Sequence, residues 1–402
     1  DLTVGVIISN GQLVGLTSQN GRILDGNGVG VLNVTAATLM ARAALGIALD
    51  AAVSNLDLST DAGNIELINT LLTPVTANVS VVGAGAVDLR QNGGGALTVT
   101  DVGTGEGDIA VSVAGGNLET QLVTAGGQGN VYLLTTASGD IRLGSVSAVD
   151  DTVSIASIGA VIDVLSGEGA NIVAGSAEID AVNGIGTSAE DIDTELGALD
   201  VQSSGSAGGI FVTELASGGD LTIAGASLTH MAGAGHLVLI AENGSLTVSE
   251  TSVVGVRVAG FGNLLIKADG TGASVDLRSQ VGTEGGHISI LAAAGITQGD
   301  GVVVSSNGGT IDIEAISGSF TMGPASRLES NSGAIRVAAR SNVVVGVIDA
   351  GDGGAQSGWG SVSLVAVDGS IFEATDASAS ATHILASAVR LSAGNATGGF
   401  DV

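Results

Sequence analysis

The chain has 402 residues with 40 acidic against 11 basic side chains, a net charge of −29, and a surface so charged repels nucleic acid and anionic membranes, whose binding needs clustered Lys and Arg. Two prolines and the lack of a glycine period of three exclude collagen despite 66 glycines, and the absence of cysteine excludes a disulfide framework and thiolate chemistry. Aromatics at 2% against 45% apolar residues describe a narrow aliphatic core, not the wide interior of a spherical domain.

In chain order, the start Asp1-Leu2-Thr3-Val4 has neither the basic residues nor the cleavage site of a signal peptide. Ala36 to Val53 is the longest helix-like apolar stretch. Arg42, Gly46 and Asp50 within it argue against a membrane span. From Gly85 a phrase Gly-x-[Ile/Leu/Val]-x-[Ile/Leu/Val] recurs in pairs. Gly85-Ala86-Val87-Asp88-Leu89 is followed by Gly95-Ala96-Leu97-Thr98-Val99, and the first anchors Gly85, Gly107 and Gly129 are 22 apart. Further anchors fall at Gly209, Gly235, Gly262, Gly286, Gly309, Gly333 and Gly360, with steps of 23 to 27. Second anchors at Gly219, Gly244, Gly295, Gly318 and Gly369 follow by 9 or 10 residues.

Each coil therefore holds two short strands and a more variable return segment with room for a third. Alternation puts the two aliphatics of a triplet on one face and the intervening residue on the other. Ile288, Ile311 and Ile335 fall on the inner face; Glu66, Asp88, Arg142, Asp276, Asp312 and Arg336 fall on the outer one. One coil cannot shield its apolar face, whereas stacked coils about 4.8 Å apart share a continuous core. The spacing predicts an all-β parallel β-helix, or β-solenoid, of 22–27 residues per coil over 1–402. We expect one continuous segment of a longer polypeptide, since Gly399-Phe400-Asp401-Val402 opens another strand phrase.

A longer echo runs through the first half. Leu45-Gly46-Ile47, Leu56-Asp57-Leu58 and Gly63-Asn64-Ile65-Glu66-Leu67 parallel Asn183-Gly184-Ile185-Gly186, Leu199-Asp200-Val201 and Gly209-Ile210-Phe211-Val212. For that reason the stretch near Ala36 reads as solenoid, and the acidic run Ala189-Glu190-Asp191-Ile192-Asp193 reads as an inserted loop, over 187–196, or one helical turn.

The paired Gly-x-Ile-x-Leu strands, Gly184-Ile185-Gly186 with its acidic follower, and Gly318-Ser319-Phe320-Thr321-Met322 with Gly333-Ala334-Ile335-Arg336-Val337 resemble the repeats of filamentous-haemagglutinin-like bacterial surface proteins over nearly the whole chain. The resemblance implies a right-handed parallel β-helix, at the bacterial cell surface or in the extracellular space, acting as an adhesin shaft or fibre. The amino-terminal secretion domain that such proteins carry is not recognisable.

Candidate chemistry is sparse. His230, His236, His287 and His383 lack the convergent spacing of a zinc site; His236 and His287 follow anchor glycines about two coils apart. No calcium-binding nonapeptide repeat or EF-hand loop occurs, though Asp349-Ala350-Gly351-Asp352-Gly353-Gly354 has carboxylates and carbonyls to offer an ion, and the acid surplus leaves room for weak calcium binding. A polysaccharide-cleaving β-helix needs carboxylates and a cation gathered over adjacent coils. Asp88, Asp200, Asp276 and Asp312 are too separated for that, and the arginines are scattered from Arg22 to Arg390. We expect no catalysis, no cofactor, no nucleic-acid binding and no direct membrane insertion. Partners would be other copies or flanking segments of the same polypeptide, or cell-surface and matrix receptors. The exception to polar outward slots is Phe211, Val238 and Leu265, in three successive first strands: either a partner contact or a stripe covered by a return segment or the inserted loop.

Overall fold

The computed structural model describes residues 1–28, 30–205, 207–229, 235–250, 255–374, 383–395 and 397–398. His230 and residues 399–402 lie outside them. The chain divides into two units, Asp1–Asp193 and Thr194–Val402. Each unit is a parallel β-solenoid in which a strand pairs with its equivalent one coil on. The single helical segment among the described residues is a 3-10 turn, Gln356–Gly358, and no helix is long and apolar enough to cross a membrane.

In the first unit the strands Ile65–Asn69, Val87–Gln91, Ile109–Val113 and Val131–Thr135 stack in register into one face. The rest of each coil is one long strand, Val75–Ala84, then Leu97–Glu106, then Leu118–Ala125. Register shifts between Val99 and Asp101 and between Thr104 and Glu106 mark bulges where the strand bends. Residues 36–53 belong to the strands Val34–Ala43 and Ile47–Thr60, which pair with each other.

The second unit breaks its coil into three strands. Ile288–Ala292, Ile296–Gln298 and Val303–Ser305 are repeated directly as Ile311–Ala315, Phe320–Met322 and Arg327–Glu329. The return segment thus carries a third strand here. Ile288, Ile311 and Ile335 form one interior column and are at most 1% exposed. Burial of each is worth about 1.5–3 kcal/mol, and no rung obtains it without its neighbours.

Two polar devices fix the spacing between rungs. First, a hydroxyl three residues before an anchor glycine donates to that glycine's carbonyl: Thr104 Oγ1 to Gly107 O at 2.6 Å, Thr283 to Gly286 at 2.7 Å and Ser306 to Gly309 at 2.6 Å. The next coil then lies on this carbonyl so closely that a Cβ on Gly309 would sit 2.0 Å from Gly286 O. At Gly309 glycine is required by this close approach, whereas Gly63 has a left-handed backbone, φ 77°, as well. Second, the residue after an anchor uses its side chain to accept the N–H of the equivalent residue one coil on. Asn64 does so for Ala86 at 3.0 Å, Asn117 for Asp140 at 3.0 Å and Asn263 for His287 at 3.0 Å. Asn263→Ala is expected to destabilise the second unit by about 1 kcal/mol, read as a lower urea midpoint and faster amide exchange at residues 286–288.

The echo between the two stretches of sequence is also a shared polar corner. In the first unit Asn33, fully buried, donates Nδ2 to Asp25 Oδ1 at 2.7 Å and accepts the Asp50 N–H on Oδ1 at 2.8 Å. Asn171, also buried, donates to Asp163 at 2.5 Å and accepts the Asp193 N–H at 2.9 Å. Asn33 and the Asn27 backbone N–H hold the Asp25 carboxyl below its usual range. Just before Asp193, within the second corner, the acidic stretch forms a loop closed by Thr187, whose Oγ1 accepts the Ala189 and Glu190 N–H groups. Extended backbone resumes at Ile192.

Candidate interaction face and polar clusters

Phe211, Val238 and Leu265 stand in one column, because Ile210–Glu214, Leu237–Ala241 and Leu264–Ala268 pair residue for residue. All three side chains are half-buried, flanked by the rungs above and below. The column continues upward as Ser289, Asp312, Arg336, Ser363 and Arg390. Two residues along, the parallel outward column reads Thr213, Ile240, Lys267, Leu291 and Glu314. The structure therefore adds Ile240 and Leu291 to the stripe. The sequence held them at the fourth position of each strand, one slot beyond the triplet, where only register shows that they adjoin the first three.

Phe261 borders this face at the corner before Leu264–Ala268 and is 76% exposed, with its ring over Gly285. Within the apolar rungs Lys267, on the strand of Leu265, pairs with Asp269, and above them Arg336 bridges Asp312 at 2.6 Å and Glu314 at 2.9 Å.

His236 and His287 belong to the ladder of rung contacts. His236 Nδ1 accepts the Asn263 N–H at 3.1 Å, and His287 Nδ1 accepts the Thr310 N–H at 3.0 Å. These bonds place the ring proton on Nε2 and give both imidazoles a structural task. His383 lies 3.6 Å from Glu373.

Asp88 pairs with Arg90 and Asp276 with Arg278, and Asp312 shares Arg336 with Glu314, so three of the four separated acids each meet a guanidinium. Such exposed pairs are worth little in stability, at most about 1 kcal/mol each. Their effect is local neutralisation. Asp349 Oδ1 accepts the Gly351 N–H at 2.8 Å, and Asp352 Oδ1 accepts that of Gly354 at 2.7 Å. The Gly354 bond also holds the Asp352 carboxyl below its usual range. Each carboxylate closes its own turn, and Asp349 also lies 3.6 Å from Arg327. The acidic trio that does converge among the described residues is Glu168, Asp191 and Asp193, with ligand atoms within 4.8 Å of one another. The sequence reading grouped Asp191 and Asp193 in one loop but did not bring Glu168 to them. In the first unit a groove lined by Arg42, Asp57, Asp61, Asn78, Thr17 and Ser80 brings acids and a guanidinium together.

Glu214 was not visible as special in the sequence. It ends the strand Ile210–Glu214 with its side chain turned inward and fully buried. Its Oε2 accepts the Thr194 hydroxyl at 2.7 Å and Oε1 the Leu196 N–H at 2.7 Å. Burial pushes its carboxyl up to about 7, the two hydrogen bonds opposing and the Glu195 charge adding to the rise. Asn69 holds the matching position in the first unit, binding Val53 N–H and C=O through its amide. A neutral amide in one copy and a carboxyl in the other perform the same corner bond.

No protein-family model, curated protein or solved structure matches this chain.

Proposed function

We propose that this chain is a non-catalytic structural or adhesive segment, a β-helical shaft of the filamentous-haemagglutinin-like kind that works at the bacterial cell surface or outside the cell. The observation that carries the reading is the division of labour between faces. Aliphatic side chains fill the interior columns, as with Ile288, Ile311 and Ile335, while outward acids such as Asp88 and Asp276 are each paired with an arginine. Stacking makes each unit's stability close to a sum of coil and coil-to-coil terms, which suits a spacer that presents other segments. The acid surplus keeps such an edge-rich β-structure dispersed.

The competing reading is a carbohydrate-active β-helix, and the Arg42–Asp57–Asp61 groove is the place where it would operate. Incubation of the chain with neutral and acidic polysaccharides is expected to release no new reducing ends. Release that disappears in Asp57→Asn or Asp61→Asn would replace the structural reading with an enzymatic one. Antibody labelling of intact producing cells is expected to reach the chain, and labelling only after permeabilisation would remove the surface location.

A further inference from the structure

We propose that the outer face carrying Phe211, Val238, Ile240, Leu265 and Leu291 is a two-fold interface with a second copy of this chain. The inference rests on the structural reading above and adds a partner to it.

Charge permits a second copy on this face. The chain has 40 acids to 11 bases, so most surface patches of two copies repel. Along the two outward columns from Phe211 and Thr213 to Arg390 and Ser392, the cations are Lys267, Arg336 and Arg390 and the acids are Asp312 and Glu314. Over the Phe211, Val238 and Leu265 rungs themselves the one charge in these columns is Lys267, paired with Asp269, so a second copy meets no net charge there. Composition agrees, since two of the chain's five phenylalanines, Phe211 and Phe261, are at this one surface. The apolar rungs have a polar border in His236, Asn263 and His287, whose Nδ1 and Oδ1 atoms are already occupied by rung contacts. An apolar centre whose one charged side chain, Lys267, is already paired with Asp269, with aromatics and a satisfied polar rim, has the anatomy of a protein interface.

A two-fold axis through the Val238 rung sets Val238 and Ile240 against their own copies and Phe211 against Leu265, with Leu291 at the edge of the contact. Six partly exposed side chains offer on the order of 300 Å² of apolar surface, well below the roughly 800 Å² per partner of a standard interface. The association is therefore weak, with a Kd on the order of 10–100 µM.

Sedimentation of the whole chain from about 5 to about 300 µM should show a monomer–dimer equilibrium. Raising NaCl from about 0.05 to about 0.5 M should strengthen it, because salt screens the repulsion between two chains of like charge. Phe211→Ser, Val238→Ser and Leu265→Ser together should weaken dimerisation at least about tenfold. Val238→Lys, outward like the native Lys267 one rung on, sets two like charges across the axis and should do the same without touching the core. Val82→Ser, at a 70% exposed valine of the first unit, should change nothing. A wild-type chain that stays monomeric in both salts, or a folded Val238→Lys variant that dimerises like wild type, would overturn the interface. Association that weakens with salt would also overturn it, and would point to a cationic occupant instead. Each of these outcomes leaves the structural reading standing, since that reading answers to the polysaccharide and labelling experiments.

Discussion

Gly309→Ala is expected to destabilise the second unit by about 3 kcal/mol or more, a large effect for the addition of one methyl group. The new Cβ would lie 2.0 Å from Gly286 O and 2.5 Å from Gly286 C, both backbone atoms of the rung below. No side chain can rotate away to relieve the clash. The rungs must separate, which strains the Ile288–Ile311 pairing and the bond from Ile288 N–H to Thr310 O, 2.9 Å in length. It also disturbs the hydroxyl of Thr283, which holds the Gly286 carbonyl in place. Gly282→Ala is the control. That glycine points outward, has only Ser305 O at 3.4 Å, and should shift stability by no more than about 0.5 kcal/mol. Urea unfolding with peptide-resolved hydrogen exchange over 286–315 distinguishes the two. Equal midpoints for both variants would mean that the glycine column does not set rung spacing.

This contrast locates what the sequence could and could not reveal. The anchor glycines and the inward pairs were legible because they recur every 22 to 27 residues, and the interior column of Ile288, Ile311 and Ile335 follows from alternation alone. The reason for the glycines was only half legible. Composition points to positive φ, which Gly63 has, but the close approach at Gly309 involves a residue 23 positions away. The hydroxyl at Thr283, Ser306 and Ser330, three places before an anchor, was present in the sequence as a Ser/Thr-x-x-Gly phrase. A short hydroxyl residue before a turn is common, so only the bond to the glycine carbonyl gives it meaning. The same limit applies to the Asn263 and His287 ladder, whose partners lie one coil on.

The apolar face shows the limit from another side. Phe211, Val238 and Leu265 were legible as equivalent slots, because each follows its anchor by two or three residues; in the fold Gly208, not Gly209, is in register with Gly235, which makes the count three throughout. Ile240 and Leu291 joined them only through register, and Phe261 only through the corner that turns it outward. The convergence of Glu168 with Asp191 and with Asp193 at the start of the next strand joins segments more than twenty residues apart, so no local spacing announces it.

Glu214→Gln is expected to leave the stability of the second unit nearly unchanged at about pH 4 and to raise it by about 3 kcal/mol at about pH 8. The sign follows from the raised carboxyl, about 7 in the fold against an ordinary 4.5. Below about pH 4.5 both the folded and unfolded chains hold this proton, and the fold keeps its full stability. Between 4.5 and 7 the unfolded chain releases the proton while the fold retains it, so stability falls as pH rises. Above 7 the fold must carry a buried carboxylate, and the loss is complete. The surroundings offer no relief, since the titratable neighbours are Glu195, which accepts the Ser217 hydroxyl at 2.5 Å, and Glu242, which accepts the Ala216 N–H at 3.3 Å. No ion pair to Glu195, Glu214 or Glu242 forms among the described residues. Glutamine preserves the corner: its Oε1 accepts the Leu196 N–H, and its Nε2 donates to Thr194 Oγ1, which still donates to Thr213 O at 3.2 Å. Asn69 shows that the fold accepts an amide in this position. Urea midpoints and exchange of residues 194–215 at both pH values read the effect. Parallel pH curves for the two proteins would mean that Glu214 ionises in the fold without cost.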